Sequence, residues 1–356
     1  MTPDNSANKA LLRANGLSAS VYNRNRGREF HFFRNVSFHI APDEVVGLVG
    51  ESGSGKTRLG LSLLGLLREG PGLYAGSLSY RLSDAEPLDF SFQHNGGKRR
   101  GEPLRKGLAP VLGKRIGLVM QGAKSALNPY QTIGTQLKDT LALAGCPGTQ
   151  IPVVMEQLLS AFSLASRSAS IAHRYPFALS GGQAHRVMIA LGFAMGPDLL
   201  VADEPTTGVD SPIQALILQH FKAFRKGTLG PPRHASRPKP SMLFITHQID
   251  LMKGLTDRVM VMYAGELLEV FHTSQLGQRP HHPYTERLME IANEAGGRAA
   301  VHSIPQIPGR MPVMYDPPEA CVFADRCSLA NERCRKEKPE LVVDPQGQGV
   351  ACHERH

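Results

Sequence analysis

Residues Val45 to Val49 run straight into Gly50-Glu51-Ser52-Gly53-Ser54-Gly55-Lys56-Thr57, and leucines follow at positions 59, 63, 66 and 67. The octapeptide fits G-x-x-x-x-G-K-[ST] between a strand and a helix, the setting in which that spacing has a physical meaning. Its glycines allow a tight loop whose backbone N–H groups converge on phosphate oxygens, and a helix N-terminus adds positive partial charge. Gly50, Ser52, Gly53 and Gly55 therefore read as the cradle, Lys56 as the group that reaches the β and γ phosphates, and Thr57 as a Mg2+ ligand. A Gly-rich turn that merely happens to carry a lysine would not need this strand and helix around it.

The rest of the chain alternates short β-like runs with longer helical ones, which predicts an α/β fold. Strands are expected at Arg115 to Met120, Leu199 to Ala202, Met242 to Thr246 and Arg258 to Tyr263, the last turning through Ala264-Gly265 into Leu267 to Val270. Helical periodicity around Gly134 to Ala144 and Pro152 to Leu164 reads as a helical insertion in the sheet domain. After Arg298 the pattern gives way to Pro- and Gly-punctuated sequence that leads to a cluster of cysteines.

The formal net charge of +9 raises the question of a nucleic-acid partner. Its location answers differently. Gln93 to Arg115 and Phe221 to Pro240 hold more than all of the excess and leave the remainder slightly acidic, and both look like solvated surface insertions, not an aromatic-interleaved binding face. Contact with anionic lipid headgroups is the other reading of them. The longest uncharged apolar stretch, Val187 to Pro197, is too short to span a bilayer. Met1 to Gly16 lacks an apolar core, so a secretory signal is not expected and the chain should stay in the cytoplasm.

Leu199 to Ala202 ends in Asp203-Glu204, where a buried strand would aim Asp203 at the phosphate site to hold magnesium through water. Glu204 is then the candidate general base for the attacking water. Taken alone, such a pair is as often a helix cap. Leu179-Ser180-Gly181-Gly182-Gln183 opens a further helix, Ala184 to Met195. In order, the chain shows a phosphate loop, Gln121 after a strand, LSGGQ, Asp-Glu, and His247 after a strand. That order resembles the ATP-binding cassette (ABC) ATPases, over residues 10–295.

The resemblance implies a P-loop ABC nucleotide-binding domain with a helical subdomain near 122–190, and residue roles that go with it. Gln121 matches the Q-loop that senses Mg2+ and water and touches the transmembrane partner. Ser180, Gly181, Gly182 and Gln183 match the signature that closes on the ATP of the opposite subunit. Asp210 is similar to the D-loop aspartate, and His247 to the switch histidine that contacts the γ phosphate. Tyr22 is placed like the aromatic that stacks on adenine, although a tyrosine in an N-terminal strand is equally suited to a core. Ala184-His185 after the signature, and Pro42-Asp43-Glu44 in place of a Gly-Glu turn, depart from the usual pattern.

Met120 to Pro129, His282-Pro283-Tyr284-Thr285 and Ile307-Pro308-Gly309 resemble the oligopeptide, dipeptide and nickel group of bacterial importers. Membership implies an ATP-hydrolysing subunit that powers import of peptides or related small solutes. Its partners would be a second ABC ATPase, two permease subunits and an extracytoplasmic solute-binding protein, with no nucleic acid. It would sit as a peripheral protein on the cytoplasmic face of the inner membrane. The alternatives are a non-transport ABC ATPase acting on ribosomes or nucleic acid, and a P-loop kinase. A kinase has no need of LSGGQ, and a translation-type protein normally carries two cassettes.

Cys321, Cys327, Cys334 and Cys352 fall in residues 296–356, the small Cys-rich C-terminal extension of the same group. A cytosolic setting disfavours disulfides. Structural zinc prefers C-x2–4-C pairs, and none exists here, whereas wider spacing suits a [4Fe-4S] cluster. The group is also thought to carry such a cluster at matching cysteines, so iron–sulfur is the expectation and zinc the alternative.

Overall fold

The structure is a computed structural model. It describes residues 10–67, 71–83, 85–93, 101–120, 122, 126–164, 171–232, 237–278, 281–296, 307–344 and 346–355. Its centre is a seven-stranded sheet in the order β11-β10-β9-β3-β8-β7-β6. These strands are β3 (Val45–Val49), β6 (Ile116–Val119), β7 (Leu199–Asp203), β8 (Ser241–Thr246), β9 (Arg258–Tyr263), β10 (Glu266–His272) and β11 (Gly349–Val350). From β9 to β6 every pairing is parallel, and β10 and β11 add antiparallel edges.

Parallel strands covered on both faces need apolar residues at every position. Here Val45 and Val49 pack into one core cluster and Val46 and Leu48 into the other; Leu200 and Ala202 divide from Leu199 and Val201 in the same way. The first face is covered by α3 (Ile133–Leu143), α4 (Ile151–Ala161), α5 (Gly181–Ala194) and α6 (Ser211–Arg225). The second is covered by α1 (Lys56–Leu63) and a four-stranded antiparallel sheet in the order β2-β1-β4-β5. Those strands are β1 (Leu12–Asn23), β2 (Arg28–Ile40), β4 (Pro71–Tyr80) and β5 (Leu88–Phe92); α2 (Gly101–Leu108) lies between β5 and β6.

The strands and helices expected from periodicity are present, with shifts at their ends. The helix after the phosphate loop stops at Leu63, because Gly65 takes φ +63° and turns the chain before Leu66 and Leu67. The antiparallel sheet was not legible as such. In β1 the residues 17 to 20 are buried consecutively, and register shifts fall at Ala14/Leu17, Leu17/Ala19 and Ala19/Ser20, so no clean alternation survives. The departure Pro42-Asp43-Glu44 proves conservative: Asp43 takes φ +63°, the left-handed role a glycine would play, and Glu44 pairs with Arg258 at 2.5 Å.

The C-terminal segment continues the same body. Ile307, Met314, Val322 and Phe323 join the first core cluster. β11 pairs with β10, and Ala351 N–H donates to Leu268 O at 2.7 Å, which covers the sheet edge. Helices α7 (Pro283–Gly296) and α8 (Glu332–Lys336) complete the chain. Among the described residues no helix is long and apolar enough to cross a membrane.

Candidate nucleotide site

The phosphate loop leaves β3 at its C-terminal end and feeds α1. Gly50, Gly53 and Gly55 take φ of +156°, +85° and +104°. At Gly55 a Cβ would stand 2.6 Å from Phe32 O, and at Gly50 one would stand 2.0 Å from Met262 O, so no side chain fits either position. Lys56 is buried at the start of α1 and its Nζ donates to Gly50 O at 2.7 Å and Glu51 O at 2.9 Å. Burial lowers its pKa from the ordinary value, and the carboxylates of Glu204, Asp203 and Glu51 oppose that shift.

Thr57 Oγ1 donates to Asp203 Oδ1 at 3.1 Å. This pairs the hydroxyl at the helix start with the carboxylate that ends β7, two hard oxygen donors beside the phosphate cradle. Mg2+ typically takes one or two protein oxygens and leaves other positions to phosphates and water, so the donor set fits that ion. Burial raises the Asp203 pKa, against the pull of the Thr57 hydrogen bond and the Lys56 charge.

Glu204 follows with φ +50°, an uncommon conformation for a non-glycine residue, and its N–H donates to Ile245 O at 2.9 Å. The twist carries its carboxylate out of the sheet. His247 Nδ1 stands 3.0 Å from both oxygens, and Thr207 Oγ1 donates to Oε2 at 2.6 Å. Burial pushes the Glu204 pKa up, but the His247 and Thr207 hydrogen bonds together with the His247 and Lys56 charges outweigh it and hold the pKa below 4.5. The Glu204 hydrogen bond raises His247 above 6.5, against desolvation.

Ser52, Gly53, Gly55, Lys56, Thr57, Glu204 and His247 line one cleft of about 1010 Å³. That is at the upper end of small-molecule sites and suits a nucleotide. Phe30, His31 and Phe32 of β2 form its aromatic wall, with Arg58 lying 4.8 Å from the Phe32 ring centroid. Tyr22 is not brought to this cleft; it is half exposed near the end of β1. Gln121 lies outside the described residues.

The signature residues also stand apart from the cleft. Ser180 caps α5 through a reciprocal pair, Gln183 N–H to Ser180 Oγ at 3.2 Å and Ser180 N–H to Gln183 Oε1 at 3.1 Å. A Cβ at Gly181 or Gly182 would meet nothing within 4 Å, so nothing inside this chain requires glycine there. Asp210 is exposed at the N-cap of α6 and makes no side-chain cap.

An end-to-end comparison with known proteins decides the family. The chain is 32% identical over 346 residues to the dipeptide transport ATP-binding protein DppD of Escherichia coli K12, covering 97% of this chain and 96% of that one. It belongs to the oligopeptide/dipeptide group of ABC transporter ATP-binding subunits. Residues 33–207 of this ABC ATPase match the ABC transporter family, and residues 268–334 match the C-terminal region of oligopeptide/dipeptide transporters. It is 33% identical over 322 residues to the oligopeptide transport ATP-binding protein AppD of Bacillus subtilis, covering 89% of each chain. In fold it resembles the ATP-binding cassette MJ0796, a dimer bound to ADP and Pi, with a TM-score of 0.55 at 21% identity over 74% of this chain and 98% of that one.

The four tail cysteines of the ABC ATPase form no disulfide with one another. Cys321 N–H donates to Cys334 O at 3.0 Å, and burial pushes the Cys321 thiol up to about 11, with the charges of Cys334, Cys327 and Cys352 adding to the rise. Among the described residues no group of three or more His, Cys, Asp or Glu side chains is set to hold a metal ion, so the comparisons and the geometry support neither the iron–sulfur nor the zinc expectation.

Sequence reasoning did not find what lies on the tail side of the cleft. Leu288 and Ile291 of α7, and Ile307, Met311, Met314 and Arg326 beyond it, form a second wall. Arg326 is separated from Glu51 by 275 positions, and no local pattern marks a contact of that range.

Proposed function

We propose that this chain is the ATP-hydrolysing subunit of a bacterial ABC importer for peptides or related small solutes. One observation carries the reading: a single chain holds both the ABC cassette and the oligopeptide/dipeptide C-terminal region. The units are then a cassette over residues 10–295, with its helical part near 122–190, and an extension over 296–356. The partners are a second cassette, two permease subunits and a solute-binding protein, with the chain peripheral to the cytoplasmic face of the inner membrane. The basic stretch 221–240 gives little support to a ribosome or nucleic-acid role, since Arg225 pairs with Asp257 at 2.7 Å and Arg237 with Asp198 at 2.5 Å.

In this reading Gly50, Ser52, Gly53, Gly55 and Lys56 bind the triphosphate, and Thr57, Asp203 and Gln121 hold Mg2+. The ion supplies charge neutralisation at the β and γ phosphates. Glu204 takes the proton of the attacking water on its carboxylate. His247 first holds that carboxylate, and on nucleotide binding turns to the γ phosphate, which leaves Glu204 a stronger base. Ser180, Gly181, Gly182, Gln183 and Asp210 serve the ATP of the partner, in keeping with the exposure of all but the half-buried Gln183 and the open space at both glycines. Phe30 to Phe32, which line the cleft, are better placed than Tyr22 to meet the adenine.

The four tail cysteines are the donors for a [4Fe-4S] cluster in the same reading, with a structural role. Four cysteines in one short segment match in number the four thiolates that such a cluster takes. Anaerobically purified protein is expected to be brown with about four irons per chain; stoichiometric zinc without iron would replace that assignment.

The functional reading is tested by co-expressing the chain with permease subunits and a second cassette of the oligopeptide/dipeptide type, purifying the complex and measuring ATP hydrolysis with and without peptide-loaded binding protein. Co-purification and stimulation are expected. A chain that hydrolyses ATP only with ribosomes or nucleic acid would contradict it.

A further inference from the structure

The residue after Gly50 in the phosphate loop is a carboxylate, the wrong sign for a loop that receives a polyanion. Glu51 is partly exposed at the cleft, and Arg326 of the C-terminal segment takes its carboxylate in a fork: Nη1 to Oε2 at 2.7 Å and Nη2 to Oε1 at 3.0 Å. The Arg326 side chain is only 4% exposed. Such a bidentate, shielded pair is not the weakly coupled ion pair of an open surface.

The guanidinium is itself fixed. Nη2 donates to Ile307 O at 2.7 Å and Nε to Pro308 O at 2.8 Å, while Nη1 donates to the Tyr263 hydroxyl at 3.2 Å. Gly309 makes room, since a Cβ there would press on Arg326 Cγ at 3.1 Å. The main chain of Glu51 is held from the same side, its N–H donating to the Tyr284 hydroxyl at 2.7 Å. Tyr284 is fully buried against Tyr263 and Phe323, with ring centroids 4.8 Å and 5.3 Å away. The start of the phosphate loop is therefore anchored twice by residues beyond the cassette strands.

We propose that Arg326 is a positioning residue for nucleotide binding: it neutralises and orients Glu51, and through it the C-terminal segment forms a working wall of the ATP site. The inference rests on the ATP-binding reading given above. Without Arg326, the Glu51 carboxylate would face the triphosphate unpaired, and the loop would lose its side-chain anchor.

The test is titration of the full-length chain with MgATP. Arg326→Ala is expected to raise the Kd roughly tenfold or more, as loss of a charged hydrogen-bonded pair does. The double variant Arg326→Ala/Glu51→Gln is expected to recover most of that loss, because the repelling charge is gone. In the assembled transporter the change should fall mainly on KM for ATP. If Arg326→Ala does not fold, Arg326→Gln, which keeps a donor for the Ile307 and Pro308 carbonyls, gives the same comparison. Wild-type affinity in the single variant, or a double variant no better than the single, overturns the proposal; the second result would mean that Arg326 is only structural. Lys56→Ala is the control. A wild-type chain that binds no MgATP, or binds it equally well without Lys56, refutes the ATP reading itself.

Discussion

His247 Nδ1 lies 3.0 Å from both carboxylate oxygens of Glu204, so the residue read as general base is held by the residue read as its γ-phosphate sensor. The pair sets its own pH window. His247 has a folded pKa above 6.5, so its contribution to stability is complete below 6.5 and is lost as pH rises through the raised value. Glu204 has a folded pKa below 4.5, so its contribution is present above 4.5 and is lost as pH falls through the lowered value. Histidine NMR titration should find His247 titrating above 6.5, and in Glu204→Gln moving back toward that value. An unchanged titration in the variant would rule out the pairing.

Gly182 is the second residue of α5 and its missing side chain faces open space. An aspartate there is favourable at a helix N-terminus, worth about 0.3–1 kcal/mol. Gly182→Asp should therefore leave the melting temperature and the monomer affinity for ATP intact while impairing hydrolysis in the assembled complex, where the added charge meets the partner's ATP. Loss of monomer affinity would place Gly182 in this chain's own site instead.

Thr57 and Asp203 meet at 3.1 Å, which makes their shared region the expected seat of Mg2+. Thr57→Ala should raise the Mg2+ concentration needed for half-maximal ATP binding roughly tenfold, the size of one hydrogen bond to a charged group. Equal Mg2+ dependence in variant and wild type would remove Thr57 from the ion's ligands.

Phe323 is buried at 2% exposure between Tyr263, Tyr284 and His282. Phe323→Ala should cost about 3–5 kcal/mol in urea unfolding, the usual penalty for a large aromatic cavity. A cost under about 0.5 kcal/mol would mean that the tail does not share the main core, since exposed substitutions have effects of that size.

The parallel strands and the phosphate loop were legible because each is a local pattern: unbroken apolar runs buried on both faces, and fixed glycine spacing before a helix. Asp203 and Glu204 could be read from their place at the end of β7 and just beyond it. The antiparallel sheet was hidden by the bulges of β1, which break alternation just where it would be counted. The tail wall was hidden for another reason. His282 Nδ1 accepts the Tyr284 N–H at 3.0 Å, and burial brings His282 down to about 4, so the imidazole is neutral and shapes the turn that sends Tyr284 to the phosphate loop. The motif His282 to Thr285 could be recognised, but its partner Glu51 is 233 positions away. Side-chain contacts of that range follow from the folded topology and leave no periodic trace.

The roles assigned to the cleft converge on Glu204, and steady-state ATP hydrolysis by the assembled transporter carrying Glu204→Gln tests them most directly. A general base typically contributes about 10²–10⁴-fold, so the rate should fall by at least about a hundredfold. ATP should remain bound at near wild-type affinity, because Lys56 and the loop amides are untouched. Hydrolysis at the wild-type rate would contradict the assignment of the base, and loss of ATP binding would show that Glu204 holds the nucleotide and does not act on the water.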